Sequence, residues 1–327
     1  MHAPSRSSFV QVAATAGMAA ALGFPRPAAA QNAGMTELRL AAAPDDDITP
    51  ALYARQAGLF KNAGITVTIQ ALSNGTAVAA AVAGGAIDIG KASLLSIINA
   101  HARGVPFVIV APSAIADATG SYGGLLVPKD SLVKTARDLT GKTVSVPALH
   151  DIQSLGLQAW IDKNGGDSKS VSLIEIPVTG VNIALDANRI AAGILSNPSL
   201  AQAMATGKYR SIAKPVPEGF NHCMVAAWVS TVDFTAKNAA VVRRFGQVIQ
   251  AASAYANAHH DKTVDLIAEF SGIDRATVAT MTRAPYATTL NPVLVQPIVD
   301  AAARYGAIPA SYSAAELFSP LAFGFKG

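Results

Sequence analysis

The chain has 327 residues, 25 Lys and Arg against 21 Asp and Glu, and a formal charge of +4 at pH 7. With a single cysteine, Cys223, the chain excludes an internally disulfide-bonded scaffold. It also argues against a nucleic-acid binder, because no basic stripe interleaves with aromatic residues.

Residues 1–30 read as an export signal: Arg6 with no acid, an uncharged apolar stretch over 9–24, and Ala28-Ala29-Ala30 ahead of Gln31. Ser5-Arg6-Ser7-Ser8-Phe9 resembles a twin-arginine signal with Ser7 in place of the second arginine, which leaves the export route open. No later apolar run approaches the ~20 residues that span a bilayer, and no cysteine follows the signal to carry a lipid. The expectation is an exported, soluble, freely diffusing periplasmic protein. Its length beyond the signal predicts two domains.

In chain order, the pattern predicts a strand over 37–43, a helix over 50–62, a strand over 65–72 and a helix over 76–83. A short strand over 87–90, a helix over 93–103 and a strand over 107–111 follow. A second unit repeats the alternation, with strands at 143–147, 171–176 and 189–195 and helices at 151–164, near 182–186, and at 199–206. Such alternation predicts parallel sheets with helices on both faces. After Asp233 only helices are expected, over 239–259, 262–270, 274–283 and 292–305. Two extended apolar segments, 122–127 and 222–230, flank the second unit. The economical architecture is α/β: one lobe of 31–121 plus 231–327, a second lobe of 122–230, and two crossings near Tyr122 and Trp228 acting as a hinge. Ligands of such sheets bind beyond the carboxyl ends of the strands, here between the lobes.

Several segments then resemble a known family. Tyr53-Ala54 with Gly58-Leu59-Phe60-Lys61-Asn62-Ala63-Gly64-Ile65 looks like a first helix and turn; Gly84-Gly85-Ala86-Ile87-Asp88-Ile89-Gly90 and Arg103-Gly104-Val105-Pro106 follow. Asp138-Leu139-Thr140-Gly141-Lys142-Thr143-Val144, WIDKNGGD at 160–167, RIAAGILSNP at 189–198 and the stretch 291–306 extend the match over nearly the whole chain after the signal. Together they resemble the periplasmic substrate-binding proteins of ABC importers of the nitrate, sulfonate and taurine type, a group that includes binders of thiamine-precursor pyrimidines. The pattern departs at Ala191-Ala192, where the family has an acid before alanine, which puts a ligand contact from that turn in doubt. The resemblance implies a periplasmic-binding-protein fold of type II and a monomeric, non-enzymatic receptor. It would deliver a small organic anion (sulfonate, taurine-like or aromatic carboxylate) to a membrane permease and its ATPase, without a cofactor or metal. A pyrimidine-synthesis enzyme on the same fold and a sensing lobe for a membrane kinase are the alternatives. The enzyme is disfavoured because such enzymes rely on clustered cysteines and Cys223 is alone.

Residues after each strand are the candidate ligand contacts. In the first lobe these are Asp45, Asp46 and Asp47, then Ser73-Asn74-Gly75-Thr76, then Lys91 and Ser93; in the second, His150, Asp151, Gln153, Ser154, Thr179, Ser196 and Asn197. Tyr122 and Trp228 would supply flat walls. Ser93, Asp151 and Ser199 would equally serve as plain N-caps, Lys91 as an exposed lysine and His150 as a surface residue. His259-His260 fits a solvated helix end better than a metal site. The acidic run conflicts with an anionic ligand. One helix terminus offers an anion roughly 0.3–1 kcal/mol, whereas a carboxylate ~5 Å away costs it on the order of 3 kcal/mol at an effective dielectric of 20. Two resolutions follow: most of the run points to solvent, the favoured one, or Asp46 or Asp47 receives an amine or hydroxyl on the ligand's far end. The anionic group would then lie toward Asn74, Thr76, Ser93 and His150.

Overall fold

The computed structural model describes residues 35–117 and 122–325, and the export signal expected at 1–30 lies outside them. The strands are β1 (Thr36–Ala42), β2 (Ile65–Ala71), β3 (Ile89–Ser93), β4 (Phe107–Pro112), β5 (Ile115–Ala116) and β6 (Gly123–Pro128). They continue with β7 (Thr143–Val146), β8 (Ser172–Glu175), β9 (Ala192–Ser196), β10 (Tyr209–Ala213), β11 (Cys223–Met224) and β12 (Ala226–Thr231). They form two five-stranded sheets, ordered β2-β1-β3-β12-β4 and β10-β6-β9-β7-β8, and a two-stranded ribbon of β5 and β11.

In the first sheet β1, β2 and β3 run parallel, while β12 enters antiparallel between β3 and β4. The edge strand β2, after the buried Ile65, is exposed or half-buried throughout, whereas every residue of β3 and β4 is buried, as expected for strands covered on both faces. One face packs under the long helix Ala239–Ala258, where Val242, Phe245 and Ile249 meet Leu38, Leu40 and Trp228. The other packs under Leu94–Ala102 and Gln296–Arg304, whose Ile97, Ile98, Ile298 and Val299 share a second core cluster. In the second sheet β7, β8 and β9 are parallel and β6 is antiparallel to both its neighbours.

Glycines set two of the connections. Gly64 (φ 72°) turns the chain from the helix Leu59–Asn62 into β2, and Gly85 (φ 73°) does so ahead of β3, both in the left-handed region that glycine enters cheaply.

Several sequence expectations change. The strand expected at 87–90 runs over Ile89–Ser93, so Lys91 is a strand residue and not part of a loop. The return crossing expected near Trp228 lies upstream: β11 pairs with β5 at Cys223↔Ala116 and Met224↔Ile115, and Trp228 already belongs to the first sheet opposite Lys91 and Ala111. The apolar run 222–230 hid this because ribbon and sheet strand are equally hydrophobic and only Val225 separates them. Finally, β10 and the helices Pro215–Phe220 and Val232–Lys237 were not anticipated. Each is short, and β10 carries Arg210 and Ser211 on an edge where burial imposes no apolar alternation.

Candidate functional site

The carboxyl ends of β1, β2 and β3 face those of β7, β8 and β9 across a cavity of about 20 Å³, the room of roughly one water. From the first-sheet side it is lined by Asp45 after β1, Ser73, Asn74 and Gly75 after β2, and Lys91 and Ser93 on β3. From the other side come Tyr122, Pro147 after β7, Asp151 and Gln153 at the start of the helix Ile152–Lys163, Val178 after β8, and Ser196 ending β9.

Local geometry follows from capping. Asn74 caps the helix Gly75–Ala83, its Oδ1 accepting from Ala77 N at 2.9 Å, while its Nδ2 reaches across to Pro147 O at 3.3 Å. Asp151 caps Ile152–Lys163, accepting from Gln153 N at 2.9 Å, and Ser93 Oγ accepts from Ile152 N across the cleft at 2.9 Å. Gly75 is obligatory here: a Cβ on it would sit 2.5 Å from Ser93 N. Gln153 Nε2 donates to Ser196 Oγ at 2.8 Å, whereas its Oε1 has no partner and lies where a Cβ on Gly123 would come within 2.9 Å.

The acidic run does not point to solvent. Asp46 and Asp47 are 3% and 2% exposed. Asp46 turns away from the cavity and accepts from Arg283 Nε (2.8 Å), Ala284 N (2.8 Å), Tyr286 OH (3.0 Å) and Thr49 Oγ1 (3.3 Å). Asp47 Oδ1 is bonded by Lys91 Nζ, while its Oδ2 has no partner. Asp45, half-buried, opens onto the cavity. Burial pushes its carboxyl up to about 7, Lys91 opposing this and Asp47 and Asp151 adding to it. Burial likewise raises Asp47 against the nearby Lys91, and raises Asp151 against its bond from Gln153 N. Tyr122 is held well above the usual phenol range by burial and by Asp47, Asp151 and Asp45.

Of the remaining expected contacts, Asn74, Lys91, Ser93, Tyr122 and Gln153 line the cavity together. Lys91, for which an exposed position was the plainer expectation, is 2% exposed. Thr76 and His150 line a separate apolar cavity between the helices Gly75–Ala83 and Leu94–Ala102; there Thr76 Oγ1 bonds Ser96 Oγ at 2.9 Å, and Ser96 Oγ donates to His150 O at 2.9 Å. Ser154 Oγ donates to Leu149 O and Asp151 O, both at 2.7 Å, and so braces its own helix start. Thr179 is exposed in the first turn of Val178–Asp186, a helix that begins earlier than expected and presents Val178 to the cavity instead. Asn197 donates to Thr282 O at 2.8 Å and accepts from Ala201 N at 3.2 Å. Trp228 is no ligand wall: it is 1% exposed in the core, edge-on to Phe245 at 5.4 Å, because its place in β12 directs it under the long helix.

A family model described as NMT1/THI5 like matches residues 45–263. The chain belongs to the NMT1/THI5-like family. No curated protein sequence matches it. Among solved structures, the periplasmic aliphatic sulphonate binding protein SsuA from Escherichia coli is similar at a TM-score of 0.71 and 17% identity, over 89% of this chain and 94% of that one. The alkanesulfonate-binding protein SsuA from Xanthomonas axonopodis pv. citri, bound to MOPS, gives 0.74 and 18% over 88% and 99%. The desulfurization enzyme DszB gives 0.66 and 14% over 87% and 96%. The NMT1/THI5-like chain thus has the periplasmic-binding-protein fold, and its resemblance to the sulfonate and nitrate group stands.

Two residues of this NMT1/THI5-like protein that matter most to the site's frame, Arg283 and Tyr286, were not anticipated. Arg283 is 7% exposed and bonds Asp46, Thr49, Thr263 Oγ1 and Tyr286 OH. Their only sequence signal was a basic residue ending a predicted helix; the observed helix, Arg275–Thr280, stops short of it.

Proposed function

We propose that this NMT1/THI5-like protein is an exported, non-enzymatic solute receptor that closes two lobes on a small molecule and presents it to an ABC-type import permease and its ATPase. The lobes would be the two sheet units, hinged at the β5–β11 ribbon and acting as a monomer in the periplasm. The observation that carries this reading is the set of hydrogen bonds crossing the cleft around the cavity. These are Asn74 to Pro147, Ile152 N to Ser93, Ser96 to His150 and, at 2.9 Å, Asp46 N to Asn197 O. A ligand touching both sides adds to these contacts only when the lobes are together, and so favours the closed population by its differential affinity.

Cys223, the thiol that cysteine-based chemistry would need, lies in the ribbon and not in the cavity, which supports a receptor over an enzyme. The sequence-based expectation of an organic anion remains a proposal, and the acids lining the cleft weigh against it.

The test is the distance between spin labels at the exposed Lys61 and Lys169, one beyond each sheet. Solute recovered by denaturing the protein purified from periplasm is expected to sharpen that distribution into a closed one and to return chemically unchanged. An unchanged distribution with every recovered solute, or conversion of the solute, would sink the reading.

A further inference from the structure

The cleft is built to accept hydrogen bonds. Three backbone donors at the helix starts beside the cavity are already used within the protein: Ala77 N by Asn74 Oδ1, Gln153 N by Asp151 Oδ1, and Ile152 N by Ser93 Oγ. Lys91, the one basic residue lining the cavity among the described residues, is bonded to Asp47. What remains without a partner is acceptor: Gln153 Oε1, on a residue 4% exposed that lines the cavity, and Asp47 Oδ2 behind it. Two carboxylates, Asp45 and Asp151, face the same space. Buried acceptors of this kind are costly unless a donor reaches them.

Resting on the receptor reading above, we propose that the cleft recognises its solute through a cationic nitrogen head, an ammonium or amidinium group, taken between Asp45, Asp151 and Gln153 Oε1, and not through an anion. The head supplies several N–H donors and a positive charge to two carboxylates whose one lining cation among the described residues, Lys91, is already bonded to Asp47. A small head also suits a cavity of about 20 Å³ between closed walls, with the rest of the molecule directed to the rim at the exposed Ser73. The raised carboxyl of Asp45 fits the same picture: burial and its neighbours Asp47 and Asp151 outweigh Lys91 until a second cation arrives.

Calorimetric titration at pH 8 with methylammonium and benzamidine on one side, and methanesulfonate and nitrate on the other, tests this with the spin-label distance recorded in parallel. At least one cation is expected to bind and close the cleft while the anions do not. Asp45→Asn should then weaken that binding at least ~tenfold, and Asp45→Glu, which keeps the charge, by no more than ~threefold. Circular dichroism melting checks that both variants are folded. Closure by methanesulfonate or nitrate overturns the inference and leaves the receptor reading intact, as does cation binding indifferent to Asp45→Asn. Binding of neither class overturns the inference as well. Benzamidine binding that needs Asp45 but never closes the lobes upholds the site and overturns the receptor.

Discussion

Three adjacent carboxylates take three different roles. Asp46 braces the molecule, Asp47 neutralises Lys91, and Asp45 faces the cleft. Removing one member of a buried pair leaves an uncompensated charge and typically costs about 3–5 kcal/mol. Arg283→Ala is therefore expected to lower unfolding free energy by about that much, and Arg283→Met combined with Asp46→Asn by clearly less, as urea denaturation of the single and double variants will show. The sign for Asp45 is opposite to that of a salt-bridged acid. Its folded carboxyl stands at about 7 against 3.8 for the ordinary group, so the folded chain binds more protons in between, and stability falls as pH rises across that window. Asp45→Asn should flatten the fall between those two values in denaturation curves. Binding of a cation runs the other way and should tighten as pH rises through about 7. The sequence placed all three acids at a strand end, but it could not assign them. The partner that claims Asp46 is 237 positions away, and adjacent side chains at such a turn diverge by a geometry that composition does not carry.

At the scale of elements, the site depends on how closely the start of the helix Gly75–Ala83 approaches the end of β3. The space over Ser93 N admits no Cβ, so Gly75→Ala must push the two apart. An overpacking cost of about 1–3 kcal/mol is expected. It should come with weaker solute binding, since Asn74 and Ser93 move relative to Pro147 and Ile152; thermal melts and calorimetry measure the two effects separately. The alternation of strands and helices was legible because strands buried on both faces leave apolar runs, as in the FVIVAP of β4. The end of β3 was not legible. Lys91 looks like a loop residue until Asp47, 44 positions earlier, is known to meet its ammonium. The edge strand β10 escaped for the complementary reason, since an edge needs no apolar pattern.

At the scale of the whole molecule, hydrogen bonds across the cleft hold the two sheet units in register. Each such bond contributes about 1 kcal/mol net, so Ser93→Ala with Ser96→Ala should favour the open population by about 2 kcal/mol, or roughly 30-fold. The spin-label distance distribution without solute reads that shift directly. The two sheets were readable from the repeated alternation, and the closing helices from the pattern after Asp233, whereas the strand entering the first sheet was not separated from the ribbon before it because both are equally hydrophobic. That ribbon holds Cys223, fully buried against Ala116, with its thiol pushed up by burial to about 12. The protein therefore carries its own timer for backbone flexing. With that sulfur fully buried, a disulfide reagent is expected to reach it only when the packing around the ribbon opens, so the rate of its uptake reads that opening in the unmodified chain, and a solute that stiffens the joint is expected to slow it.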